Sequence, residues 1–157
     1  MTSFLVIAAI AFVAMEPVTA ATHRWVMHGI GEFLHRSHHR RIATRLEAND
    51  WYPVMFSAIV IVGFIVGLNR DGFGALVPAG VGVTVYGIAY GLVHDVYIHG
   101  RLGGFRGWKH PVLEHLAEAH RIHNLYTAAT YGMLAQVVPA ELRSRAERTN
   151  RNPLVRV

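Results

Sequence analysis

The sequence predicts an all-α integral membrane protein, with three to four transmembrane helices and a histidine-rich cap for two metal ions on the cytoplasmic side. Three observations carry that expectation. Hydrophobic residues make up 52% of the 157-residue chain and charged residues only 16%, where a soluble domain carries about 25% charged residues. The apolar residues fall in long blocks. Eleven histidines flank those blocks, in a chain with few other ionisable groups.

The first block runs from Ser3 to about Thr22 and is interrupted by Glu16 and Pro17. A helix crosses the hydrocarbon with about 20 apolar residues, so this block is long enough. Val18-Thr19-Ala20 before Ala21 has the form of a signal-peptidase site. No basic segment precedes it, and His23 and His28 continue what reads as one long helix, so the segment is expected to be retained. Glu16 is expensive in an apolar block and marks either function or a cap or pair near the Pro17 kink. The second block, Trp51 to Leu68, is slightly short, with Trp51 and Tyr52 as interfacial anchors. The third, Phe73 to Val93, is 21 residues without a charge. Glycines 63, 67, 80, 82, 87 and 91 in these two blocks permit close helix packing.

Beyond them, Gly100 to Pro111 reads as a loop and Val112 to Tyr126 as a helix. Tyr131 to Val138 is a short apolar stretch that dips into the interface. Residues 1–140 are read as a single membrane domain and 141–157 as a basic, flexible tail. The sequence carries no whole-unit repeat.

With three crossings, the segment after the first helix shares a side with the C-terminal part, and the Asn69–Gly72 turn lies opposite. Fourteen of the 15 Lys and Arg, and all 11 histidines, then fall on one side, leaving Arg70 on the other. By the positive-inside rule that side is cytoplasmic. The basic balance of +5 is therefore an orientation signal and does not point to nucleic acid, which would call for basic residues across a water-soluble surface. The absence of cysteine excludes disulfides, cysteine-ligated iron–sulfur clusters, a thiolate haem and thiol nucleophiles.

The histidines form four groups: His23 with His28, His35 with His38 and His39, His94 with His99, and His120 with His123 and Asn124. Positions i, i+3 and i+4 share a helix face, so the second and fourth groups are each expected to converge on a metal. The pairs five apart stand about 140° around an ideal helix. They serve one site only if the helix ends or bends between them, for which Gly29 and Gly100 are suitable, or if each faces a different metal. Imidazoles suit iron, copper, zinc or nickel, and nine at paired spacings suggest two ions. Glu32, Asp95, Glu114 and Glu118 lie close enough in sequence to orient the rings. Glu32-x-x-His35 alone matches half of a soluble di-iron carboxylate motif. His110 and His115 read as packed or surface residues. The aromatics Trp25, Trp51, Tyr52, Tyr86, Tyr90 and Tyr97 read as anchors and core.

These groups resemble those of the beta-carotene hydroxylases of the membrane fatty-acid hydroxylase superfamily. The likeness runs from about Met15 to Val138, through His28-Gly29, Leu34-His35-Arg36-Ser37-His38-His39, Glu47-Ala48-Asn49-Asp50 and Thr84-Val85-Tyr86-Gly87. It continues through His94-Asp95-x3-His99, Ala119-His120-Arg121-Ile122-His123 and Tyr131-Gly132. It implies two non-haem irons held by His23, His28, His35, His38, His39, His94, His99, His120, His123 and Asn124. It also implies O2 as co-substrate and electrons from reduced ferredoxin and its reductase. The implied reaction is hydroxylation of carotenoid beta-ionone rings at carbon 3, from beta-carotene through beta-cryptoxanthin to zeaxanthin, in the bilayer, for which a bacterial cell membrane is expected. The family's last box reads His-x2-His-His, whereas this chain has Asn124 at its final position. An amide oxygen can ligate iron or hold a water on it. The loop that follows is also shorter than the family's. The same boxes are compatible with oxidation of a sterol, fatty acid or other carotenoid, or with a non-enzymatic metal- or haem-binding membrane protein.

Overall fold

The structure, a computed structural model, describes residues 1–39, 46–101, 107–127 and 130–154. Helix α1 (Thr2–Ala21) passes without a break into a π-helical turn over Thr22–Ile30, and a single short turn, α2 (Glu32–His35), follows. A 3-10 turn at Ala48–Asp50 opens α3 (Trp51–Asn69). Helix α4 (Leu76–Gly91) runs into a second π-helical turn, Leu92–Ile98. Helices α5 (Pro111–Tyr126) and α6 (Ala140–Glu147) complete the described residues.

Three helical stretches, Thr2–Ile30, Ala48–Asn69 and Leu76–Ile98, are long and apolar enough to cross a membrane, with mean hydropathies of 2.1, 2.1 and 1.7. The third starts at Leu76, not Phe73. Gly72 takes a left-handed conformation (φ +84°) and successive turns carry the chain round the Asn69–Gly72 corner. Ile10, Ile59, Ile65 and Ile88 stay exposed. In lipid such faces meet a matching solvent, while the helical backbone satisfies its own hydrogen bonds.

Helix α4 lies between α1 and α3, and two glycines make that possible. A Cβ at Gly82 would stand 2.1 Å from the Ala8 carbonyl oxygen of α1, and one at Gly80 would stand 2.9 Å from the Phe64 ring of α3. Close approach maximises van der Waals contact where lipid removes any hydrophobic drive for helices to associate. Tyr86, buried on α4, meets Phe12 edge-on at 5.7 Å.

The expected interfacial dip at Tyr131–Val138 is irregular chain, and among the described residues three helical stretches are long and apolar enough to cross a membrane. Its backbone is bound from within α1: Glu16 accepts hydrogen bonds from the N–H groups of Met133 (2.8 Å), Leu134 (3.0 Å) and Ala135 (3.1 Å), and from the Tyr86 hydroxyl (2.7 Å). Helix α5 buries Leu116, Ala119 and Ile122, Met133 is buried as well, and the Thr130 hydroxyl donates to the Ala119 carbonyl at 3.2 Å. Helix α6 is joined to α5 through Arg121, which donates to Glu118 and to the carbonyls of Ala146 and Arg151.

Candidate metal centre

The two histidine pairs five residues apart each occupy a π-helical turn. There the repeat is i to i+5, so residues five apart stack one above the other. The His99 N–H bonds the His94 carbonyl at 2.9 Å, and the Gly31 N–H bonds that of Val26 at 2.8 Å. The rings of His23 and His28 stack with centroids 4.9 Å apart, and those of His94 and His99 lie 4.6 Å apart. Each pair faces one site, the first of the two arrangements expected: the helix widens over the pair, and the chain leaves helical conformation just beyond it, at a kink on Gly29 (φ −116°, ψ −117°) and at the left-handed Gly100 (φ +61°).

Nine histidines gather in two groups. His23, His28, His35, His39 and His123 form one, and His38, His94, His99 and His120 the other; within each group the candidate ligand atoms all lie within 4.8 Å of one another. The i, i+3 expectation fails here. His35 and His39 enter the first group while His38 enters the second, and His120 and His123 part in the same way. Three residues on a helix span about 300°, enough divergence to serve adjacent sites. The tie between α2 and α3 sets the place of this segment: the Tyr52 hydroxyl donates to the Gly31 carbonyl at 2.8 Å, where any Cβ on Gly31 would lie 2.1 Å from that hydroxyl oxygen.

The donor geometry fits metal ions. In the first group Nε2 of His35 lies 3.1 Å from that of His23 and 3.0 Å from that of His39, and Nε2 of His28 lies 3.0 Å from that of His123. In the second, His38 and His94 approach at 3.1 Å, and His99 and His120 at 3.2 Å. Metal–imidazole bonds of about 2.1 Å at right angles put neighbouring nitrogens about 3.0 Å apart. In the His23–His35 and His38–His94 pairs both Nδ1 atoms donate to an acceptor, so the facing Nε2 atoms present lone pairs at a spacing that suits a shared cation.

Four rings are fixed from behind. Nδ1 of His35 donates to Asn49 Oδ1 (2.7 Å), that of His38 to Glu47 Oε2 (3.1 Å), that of His94 to Asp95 Oδ1 (3.1 Å), and that of His23 to the Tyr131 carbonyl (3.0 Å). A proton held at Nδ1 leaves the Nε2 lone pair facing inward. Of the carboxylates expected to do this by proximity, Asp95 does. Glu32 pairs with Arg36, Glu114 accepts from Tyr97, and Glu118 binds Arg121. Glu47, Asn49 and the Tyr131 carbonyl take their place. Arg101 ties the outer layer together, reaching Glu47 at 3.1 Å, Asp50 at 2.6 Å and Asp95 at 3.5 Å. The one sequence signal for Glu47 and Asn49 is their place in a matched run, and Glu47 also forms a reciprocal cap with Asp50 at the start of the 3-10 turn.

Burial favours the neutral form of four rings beyond the apolar spans. It pushes His35 down to about 3, against the opposing Asn49 hydrogen bond, and His39 down to about 2, with His35 beside it. His99 and His120 are lowered by burial too, and the neighbouring His94 adds to it. For Glu47, burial alone would raise the carboxyl, but the His38 hydrogen bond and the Arg101 charge outweigh it and hold the group below the usual carboxylate range. Neutral imidazoles backed by an anionic layer are what a divalent cation requires.

The remaining sequence candidates lie outside the two groups. Asn124 follows His123 on α5, half-buried, with its Oδ1 shielded from solvent and unpartnered. His110 is exposed at the start of α5, and His115, also exposed, bonds the Gln136 carbonyl.

Among known proteins, the chain is similar to the "Beta-carotene hydroxylase" of Pseudescherichia vulneris, at 34% identity over 90% of this chain and 82% of that protein. It is 37% identical to the "Beta-carotene hydroxylase" of Paracoccus sp. (strain N81106 / MBIC 01143), over 79% of this chain and 75% of that one. The chloroplastic "Beta-carotene 3-hydroxylase 1" of Arabidopsis thaliana matches at 36% identity over 78% of this chain and 41% of its own length. No protein-family profile and no solved structure matches the chain.

Proposed function

We propose, from the premise that this chain belongs to the beta-carotene hydroxylase family, that it hydroxylates carotenoid beta-ionone rings at carbon 3 with O2. The substrate series is beta-carotene, beta-cryptoxanthin and zeaxanthin. The observation that carries the reading is the pair of histidine groups, nine imidazoles at metal-ligand spacing beside three apolar spans. His23, His28, His35, His39 and His123 would hold one non-haem iron, and His38, His94, His99 and His120 the other. Asn124, through its unpartnered amide oxygen, would hold a water or ligate beside His123.

Bound there, two irons would supply the O2-activating redox chemistry that an unactivated ring C–H needs and no side chain provides. The chain's own part is to hold them. Asn49, Glu47, Asp95 and the Tyr131 carbonyl keep the protons of four rings at Nδ1, and Arg101 fixes the carboxylates behind them. One oxygen atom enters the ring, and the other leaves as water with two electrons drawn from reduced ferredoxin and two protons drawn from solvent. With 14 of 15 Lys and Arg on the histidine side, the centre faces the cytoplasm, where such a donor is found.

The test is expression in cells that accumulate beta-carotene, with chromatography of the extracted pigments and His38→Ala and His120→Ala as controls. Cryptoxanthin and zeaxanthin are expected with the wild-type chain alone, while both variants stay in the membrane. Wild-type turnover in either variant removes that histidine's ligand role. No new polar pigment from an iron-loaded, membrane-inserted chain with ferredoxin present overturns the reaction and redirects the assignment to another membrane lipid.

A further inference from the structure

Helices α3 and α4 do not stay in contact along their length. At the corner end they touch: a Cβ on Gly67 would lie 3.0 Å from Val77 and 3.1 Å from Leu76, and Gly80 abuts Phe64. Toward the histidine end, Cβ atoms at Gly87 and Gly91 of α4 would meet nothing within 4 Å. The helices splay, and the space between them, backed by α1, is a cavity of about 540 Å³.

Its walls are hydrocarbon: Phe56, Val60 and Phe64 from α3, Val83 and Ile88 from α4, and Met15 from α1. Along the middle of the wall the hydroxyls of Ser57 and Thr84 are spent on their own helices, on the Pro53 and Gly80 carbonyls, and the polar residues Asn49, Asp50 and Asp95 gather at the histidine end, held by His35 and Arg101. The lining runs from Val83 to His94 on α4, about 16 Å at 1.5 Å per residue, and from Asp50 to Phe64 on α3, about 21 Å. That is more than half of a hydrocarbon core about 30 Å thick. The mouth faces lipid, since Ser57, Ile61, Thr84 and Ile88 on its rim are exposed. The inner end reaches His94 of the second metal group. Tyr90 stands there, its ring centroid 5.1 Å from that of His94, with no hydrogen bond to any described residue.

We infer that this groove takes one end of the carotenoid, the terminal ring against Tyr90 beside His94 and the adjoining polyene along the α3–α4 gap, entering sideways from the bilayer. The inference rests on the reading of the chain as a carotenoid hydroxylase and adds where the substrate lies. The occupant is set by the shape and chemistry of the space: long, uncharged along its length, open to lipid, and closed at the metal end by an aromatic ring. Gly87 and Gly91 are the width setting of this wall, because they hold open space where any side chain would fill it.

The test uses the full chain with Gly87→Leu, and with Gly63→Leu as control, because a Cβ at Gly63 also meets nothing within 4 Å but the residue lies outside the groove. In beta-carotene-accumulating cells, Gly87→Leu is expected to lower hydroxylated pigment at least tenfold at unchanged membrane level and metal content, and Gly63→Leu to leave it unchanged. A second readout does not need turnover: purified wild-type chain in lipid nanodiscs should induce visible circular dichroism in added beta-carotene, an achiral polyene, and Gly87→Leu should abolish it. Wild-type pigment output from Gly87→Leu, an equal loss in Gly63→Leu, or no induced dichroism with the wild-type chain each overturns the groove. Induced dichroism that Gly87→Leu removes, with no hydroxylated product from the wild type, leaves the groove standing and overturns the reaction instead.

Discussion

Glu16 offers a sharp test of how the membrane part supports the metal centre. Its carboxylate collects three backbone N–H groups and the Tyr86 hydroxyl at 2.7–3.1 Å, and the segment it grips carries the Tyr131 carbonyl that orients His23. Glu16→Ala leaves those donors without an acceptor. The Ala135 N–H is exposed and can find water, while those of Met133 and Leu134 and the phenol are partly buried. At about 1 kcal/mol for each of these three, near the low end for a lost partner, the cost is about 3 kcal/mol. For a chain of this size that lowers the melting midpoint by roughly 6–12 °C. Losing the support behind a metal-binding ring costs about tenfold or more in metal affinity, and here the loss falls on the His23 group. Glu16→Gln, which keeps one acceptor oxygen, should lie between. Gly132→Ala should imitate the damage, since its Cβ would stand 2.3 Å from Glu16 Oε1. The assays are thermal unfolding in detergent and metal content per chain against a competing chelator. An unchanged melting midpoint and unchanged retention of both metals in Glu16→Ala would refute the coupling.

Arg101→Gln should release Glu47, Asp50 and Asp95 to repel one another and disorient His38 and His94. Metal content should fall from two ions toward one per chain, and retention of both would remove Arg101 from its supporting role. Acid should weaken the metal-free protein in a defined direction. His35 and His39 titrate near 3 and 2 when folded and near 6.5 when unfolded, so below about pH 6.5 the unfolded chain takes up protons that the folded site refuses. Stability is then complete above about pH 6.5 and declines toward pH 3, by up to about 1.4 kcal/mol per pH unit for each histidine. Melting curves of metal-stripped protein between about pH 7 and pH 4 check the sign. A midpoint that holds or rises on acidification contradicts the buried neutral rings. Metal should raise the midpoint and steepen this dependence, because each ligand must be deprotonated to bind.

By itself the sequence determined what depends on local composition. Three apolar stretches long enough to cross a bilayer, the corner at Asn69–Gly72 and the helix ending near Tyr126 all follow from runs of residue type. So does the gathering of every histidine on one side of the spans, because hydropathy acts residue by residue along the chain. Tertiary structure decided the partition. Whether His38 joins His35 or His94 depends on which helix end lies across from it, and no spacing within one helix contains that information. The pairs five apart needed a π turn, whose poorer local propensity must be offset by what the widened turn places elsewhere. The roles of Glu47, Asn49 and the Tyr131 carbonyl were not in any spacing, although all three residues lie in matched runs, because each reaches its histidine across a fold in the chain, from Glu47 nine residues beyond His38 to Tyr131 more than a hundred beyond His23; Arg101 reaches the carboxylates behind them in the same way. Apolar residues find lipid wherever they stand in the chain. A ring held in one tautomer needs a particular acceptor about 3 Å away, and only the folded chain supplies it.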